Sequence, residues 1–151
     1  MMTDTSSPDR QDGGRPVLDR PESRPAAAAA VRDLVTDLQA GLDDRDAERS
    51  DRSFAQDILW GSPYGATLAG IDVLLPIHRS LKATGAAPPS RFEAVQVLAP
   101  APGIAIAHIR RRALDDPEGF SEMALYVLVE RDGRWWLAGG QNTPVSEPPA
   151  R

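Results

Sequence analysis

The sequence predicts an α+β domain, helices first and a curved antiparallel sheet after them, on three observations. Val31, Leu34, Val35, Leu38 and Leu42 recur at helical spacing, one apolar stripe of an amphipathic helix over about 26 to 42. From Arg91 onward the chain reads as strands: "RFEAVQVLA", "GIAIAHIRRRAL", "SEMALYVLVER" and "RWWLAGGQNT". Between them stand "PAPG", "DDPEG" and Asp132-Gly133, turn signals placed as in a four-stranded meander. Packing the helices on one face of that sheet lets the helical stripe and the apolar strand face bury each other.

The elements follow in order. Residues 1–25 carry four prolines, Gly13-Gly14 and mixed charges with almost no apolar content, and are read as a disordered tail. A single domain over 26–145 and a short C-terminal tail over 146–151 complete the organisation. After the first helix, Asp44-Arg45 precede a second, short one over about 46–55 that ends near Phe54. "DILW" (57–60) and "ATLA" (66–69) read as short strands flanking the turn Ser62-Pro63-Tyr64-Gly65, where Pro presets φ and Gly permits a positive one. Leu74, Leu75, Ile77, His78 and Leu81 mark a third helix from Ile71 to Thr84, kinked by Pro76 and ended by Gly85. "GAAPPS" links it to the sheet.

Composition bounds the function. At 151 residues the chain holds one core of ordinary size, with 41% hydrophobic and 26% charged residues. A net charge of -5 argues against nucleic acid or an anionic membrane surface as partner. The absence of cysteine removes disulfides, thiolate chemistry and Cys-ligated metals. No apolar run approaches the roughly 18 residues of a membrane span and no signal-peptide pattern opens the chain, so a cytoplasmic location is expected. Sixteen of the seventeen basic residues are Arg, Lys82 being the exception, which with the abundant Ala fits a GC-rich bacterial coding sequence. No cofactor is expected: no G-x-G-x-x-G follows a strand and opens a helix. No metal is expected either, since the two histidines, with Asp57 or Glu122, lack ligand spacing. "RRR" at 110–112 divides between two strand faces near Asp115, Asp116 and Glu118, and reads as a solvated hairpin end.

Five local motifs stand in a telling order: "FAQDILW" closing the second helix, "SPYGATLAG" leading into the third, His78 within it, "RDGRWWLA" as the last hairpin and "QNT" at the end of the last strand. Over about residues 28–145 the chain thereby resembles the NTF2-like superfamily of ketosteroid isomerases and SnoaL-type cyclases, most closely its SgcJ/EcaC-like branch. The resemblance implies a cone-shaped cavity between three helices and a strongly curved, mainly antiparallel sheet, and dimerisation through that sheet. The ketosteroid isomerases place a general-base Asp before the Pro of D-P-x-G, where this chain has Ser62 in "SPYG", and they use a first-helix Tyr that is missing here. An unactivated serine cannot replace that base, so steroid-type isomerisation is not supported. Ser62 reads as a turn residue bonding the local backbone, with a ligand-contacting hydroxyl as the alternative.

A hairpin register set on Asp132-Gly133 places Leu128 opposite Leu137, Tyr126 opposite Gly139 and Ala124 opposite Gln141. Glu122, Tyr126 and Gln141 then share one face; Met123, Leu125, Val127, Val129, Trp136 and Ala138 share the other. A symmetric hairpin about Pro117 adds His108 across from Tyr126, and Arg112 across from Glu122 as its ion-pair partner. His108, Tyr126 and Gln141 are accordingly the expected cavity lining, with Trp60, Tyr64 and His78 at its mouth. The apolar second face is expected to pair with another copy as a homodimer.

Two functions fit. One is a cofactor-free accessory enzyme of bacterial secondary metabolism acting on a mostly apolar small molecule, such as a polyketide intermediate. His108 would shuttle the proton while Tyr126 or Gln141 polarises a carbonyl. The other is a non-catalytic ligand-binding or dimerisation module in which these groups fill the cone.

Overall fold

A computed structural model describes residues 14–85, 87–115 and 121–146. A 3-10 turn at Pro21–Ser23 leads into α1 (Arg24–Asp43) and α2 (Ala47–Asp51). β1 (Phe54–Gly61) and β2 (Thr67–Ala69) precede α3 (Ile71–Ala83), and the chain ends in β3 (Ser90–Ala101), β4 (Ile104–Ala113), β5 (Glu122–Arg131) and β6 (Arg134–Pro144). The sheet runs β2-β1-β6-β5-β4-β3. Its pairings are antiparallel except β1 with β6, which is parallel. The result is α+β, with the helices on one face of a six-stranded sheet. No helix of the described residues is long and apolar enough to cross a membrane.

The α1 stripe buries as its spacing predicts: Val31, Leu34 and Leu38 join Ile58 of β1, Ile109 of β4 and Leu137 of β6 in one core. Gly41 lets α2 approach closely, because a Cβ there would meet the Ser50 Cβ at 2.5 Å. The side chain of Asp46 caps α2 by accepting the Arg49 N–H at 3.1 Å. α2 ends at Asp51, short of the expected Phe54, because Phe54 is already a strand residue. Its ring is buried, it pairs with Leu137, and Ser53 O accepts the Leu137 N–H at 2.7 Å. A sheet contact from the far end of the sequence thus overrides local helical propensity.

The expected tail overlaps ordered structure. Ala99 of β3 donates its N–H to Asp19 Oδ1 at 3.0 Å and accepts the Arg20 N–H at 2.8 Å. Asp19 also pairs with Arg24. Its carboxyl is held below the usual range, first by the Ala99 N–H and then by Arg24. These contacts start α1 at Arg24, with Pro25 in the first turn where a missing N–H costs nothing. The remainder of the expected tails, 1–13 and 147–151, and the centre of the Pro117 hairpin lie outside the described residues.

The β5–β6 register departs from expectation at one point. Leu128 pairs with Leu137, but Val127 pairs with Gly139, so Ala138 is a β-bulge and every later partner shifts by one. Tyr126 then faces Gly140, Ala124 faces Asn142, and Leu125 faces Gln141. Since side chains alternate, this one-residue slip turns Gln141 to the outer face and brings Asn142 inward. β4 is offset too: His108 pairs with Leu125, and Arg111, not Arg112, with Glu122. The bulge has a direct test. At Gly140 a Cβ would lie 2.7 Å from the Tyr126 ring, whereas at Gly139 the nearest atom is 3.5 Å away. Gly140→Ala is therefore expected to lower stability by about 1–3 kcal/mol through overpacking, and Gly139→Ala to change it much less, as read by denaturant unfolding.

Candidate functional site

Between the helices and the inner sheet face lies a cavity of about 320 Å³. Each layer supplies a polar group. α2 contributes Asp51, α3 contributes His78 and Lys82, β4 contributes Arg111, β5 contributes Glu122 and Tyr126, and β6 contributes Asn142. The remaining wall is apolar and aromatic, with Leu38, Leu42, Phe54, Trp60 and Leu74.

The helix side holds an Asp–His pair. His78 Nδ1 lies 2.7 Å from Asp51 Oδ2, and Ser50 Oγ lies 2.9 Å from the other oxygen, Oδ1. Asp51 is 5% exposed, so its carboxylate is fixed by these two neighbours. Aromatic rings hold the imidazole. Trp60 meets it edge-on with centroids 5.4 Å apart, Phe54 does so at 6.2 Å, and Trp60 itself stacks on Phe54 at 5.4 Å. A carboxylate at Nδ1 places the neutral ring's proton there and leaves Nε2 the lone pair, the tautomer of a general base.

The sheet side holds Glu122 and Tyr126. Burial is the first cause that raises the Glu122 carboxyl above its ordinary value, with Arg111 and then His78 partly opposing it. A carboxyl raised in the folded state confers full stability below its unfolded pKa and loses it as pH rises through the folded one. Glu122→Gln is therefore expected to flatten the decline in melting temperature above pH 4.5 and to be more stable than the parent at neutral pH. A thermal-melt series across pH checks this, and a variant that melts lower at neutral pH would mean that the Arg111 pairing outweighs burial.

Tyr126 is 3% exposed, and burial moves its phenol strongly upward, so it stays protonated. Its O–H donates to Asn142 Oδ1 at 3.3 Å, and Asn142 Nδ2 donates to Gly61 O at 2.9 Å. The chain ties the sheet wall to β1 and commits the phenol proton.

Of the residues expected to line the cavity, Trp60, Ser62, Tyr64, His78 and Tyr126 are brought together there. His108 and Gln141 are not. His108 is exposed on the outer face, its Nδ1 3.1 Å from Gln96 Oε1, and Gln141 is exposed beside Leu125. The offset β4–β5 register and the Ala138 bulge are the reasons. Ser62 Oγ accepts the N–H groups of Tyr64 at 3.2 Å and Ala66 at 3.0 Å, closing the turn. Sequence reasoning missed Asp51, Asn142 and Arg111. Arg111 had a signal in its alternation with Ile109 and Ala113, which face the core, while Arg110 and Arg112 reach Glu93 at 3.4 and 3.6 Å on the outer face. Among the described residues no cluster of His, Asp and Glu is arranged to hold a metal ion.

Neither a protein-family model nor a curated protein sequence matches this chain. Solved structures do. An NTF2-like protein of unknown function from Pseudomonas putida KT2440 superposes with a TM-score of 0.66 at 21% identity, over 80% of this chain and 87% of that one. An uncharacterised cystatin-like-fold protein from Caulobacter vibrioides gives 0.63 at 23%, over 80% and 91%. A ketosteroid isomerase-like protein from Erwinia carotovora atroseptica SCRI1043 gives 0.64 at 14%, over 79% and 96%. The chain has the NTF2-like, cystatin-like fold.

Proposed function

We propose that this protein binds a mostly apolar small molecule in its cone cavity and moves a proton on it without a cofactor. It would be an accessory enzyme of the isomerase or cyclase type in bacterial secondary metabolism, related to the SnoaL-like and SgcJ/EcaC-like proteins. The observation that carries the reading is the Asp51–His78 pair at 2.7 Å within an aromatic wall of the cavity. His78 takes the proton-shuttle role expected of His108. Glu122, whose carboxyl burial holds above its ordinary value, lines the same cavity from the sheet side and is the complementary acid.

The test is α-proton exchange. A panel of enolisable aryl ketones in D₂O, followed by NMR, is expected to exchange faster with the protein than with buffer. Binding without exchange would favour the second reading, a non-catalytic binding module. What favours that reading is that Tyr126, Asn142 and Ser62 already spend hydrogen-bonding capacity on one another or on backbone.

The reading includes a homodimer through the outer sheet face. Leu59 is 66% and Leu125 46% exposed there, with Val127, Val129 and Trp136 half-buried beside them on the same face, an apolar patch that monomers seldom carry. Sedimentation at micromolar concentration is expected to give a dimer and Leu125→Glu a monomer; a monomeric parent protein removes the proposal.

A further inference from the structure

We propose, building on the reading of the cavity as a small-molecule site, that its ligand is an organic acid: an apolar body with one carboxylate seated on Arg111. Arg111 stands in a row across the sheet between Phe92 of β3 and Glu122 of β5. Its side chain is 14% exposed, and its buried Nε–H has no acceptor among the described residues. Glu122 does not satisfy it. The closest approach is Nη1 to Oε2 at 3.6 Å, an ion pair beyond hydrogen-bond range. The Phe92 ring, 5.9 Å from the guanidinium carbon, covers a face of the group rather than its donors. A buried donor left unmet carries its full desolvation penalty, and native folds keep few of them. The planar fork of a guanidinium matches the two oxygens of a carboxylate.

The charges around Arg111 decide between an anion and a neutral carbonyl. Asp51 is committed to His78 and Ser50, so its carboxylate is already balanced. Glu122 is drawn toward its neutral form by burial. Lys82 lines the same cavity, and burial first lowers its pKa, with Asp51 opposing that shift and the Arg111 charge adding to it. Arg111, a guanidinium that stays charged, is thus a cation with a donor to spare beside one carboxylate already paired and one carboxyl that burial raises, and such a field favours a negative guest. The cavity, at about 320 Å³, belongs to the small end of ligand pockets, about 300–1,000 Å³. With the apolar residues around it, this suits a ring system of one or two rings.

Calorimetric titration of the full chain with 2-naphthoate and benzoate, each against its neutral amide, tests the inference. The acids are expected to bind at least about tenfold more tightly than the amides, as a charge-assisted bidentate pair provides. Arg111→Gln should erase the preference and Arg111→Lys should keep part of it. The lysine variant retains a cation opposite Glu122 and keeps the test open should the glutamine variant unfold. Arg112→Gln, on the outer face beside Glu93, should leave the preference intact. Amides that bind as tightly as acids, or an undiminished preference in both Arg111 variants, would overturn the organic-acid assignment and leave the cavity reading standing. Failure of all four probes to bind would defeat both.

Discussion

His78→Asn is expected to slow ketone α-proton exchange by about 10²–10⁴-fold, the range that a positioned general base contributes. Asparagine suits the purpose because its side-chain amide can donate to Asp51 Oδ2 much as the imidazole Nδ1–H does, at the 2.7 Å seen in the parent. The carboxylate therefore keeps a partner, while no group remains to take a proton at the position of Nε2. Asp51→Asn should produce a smaller loss, since it removes the orienting charge and can favour the wrong tautomer without deleting the base. The double variant should be no slower than His78→Asn alone, as two residues acting as one unit give non-additive effects. Circular dichroism and thermal melts of all three establish folding. Equal exchange by parent and His78→Asn would end the catalytic assignment of this pair.

Leu137→Ala is expected to cost about 2–5 kcal/mol, a large share of the roughly 5–15 kcal/mol that holds a domain folded. Leu137 is fully buried on β6, where that strand meets Phe54 of β1 on one side and Leu128 of β5 on the other. Removing its side chain opens a hole at the junction of both pairings, and backbone held on two sides cannot collapse into it. At about 2–4 °C per kcal/mol for a domain of this length, the melting temperature should fall by roughly 4–20 °C. Val73→Ala is the control. Val73 is 49% exposed on α3, away from the outer sheet face, and its truncation should change stability by about 0.5 kcal/mol or less.

The long elements were legible because each carries its own period. The α1 stripe, the Pro76-bearing α3 and the four C-terminal strands stand close to where spacing and turn residues place them. Two kinds of information were not local. The Ala138 bulge closes "WWLA" and precedes Gly139-Gly140, and paired glycines put no side chain on either face to announce which way the strand runs on. A slip of one residue there exchanged Gln141 for Asn142 in the cavity. Asp51 and His78 lie 27 residues apart on different helices, and nothing in either segment states that they meet. The inward turn of Arg111 was written in its alternation with Ile109 and Ala113, but the charge of "RRR" reads as solvent when taken as a run.

The parallel β1–β6 pairing has a consequence in time. Phe54 is synthesised long before its partner Leu137, and at about 5–20 residues per second the interval lasts several seconds. The helices and the β1–β2 hairpin can form in that period from neighbouring residues, as can the β3–β5 meander once its strands have emerged. The strand that joins them arrives last, because β6 lies between β1 and β5 in the sheet. Until then β1 and β5 each present a bare strand edge that the finished sheet conceals. Two chains on one polysome are positioned to exchange partners during that window, so slower translation of the segment between α3 and β6 should raise the yield of strand-swapped and aggregated protein without altering the stability of the chains that escape.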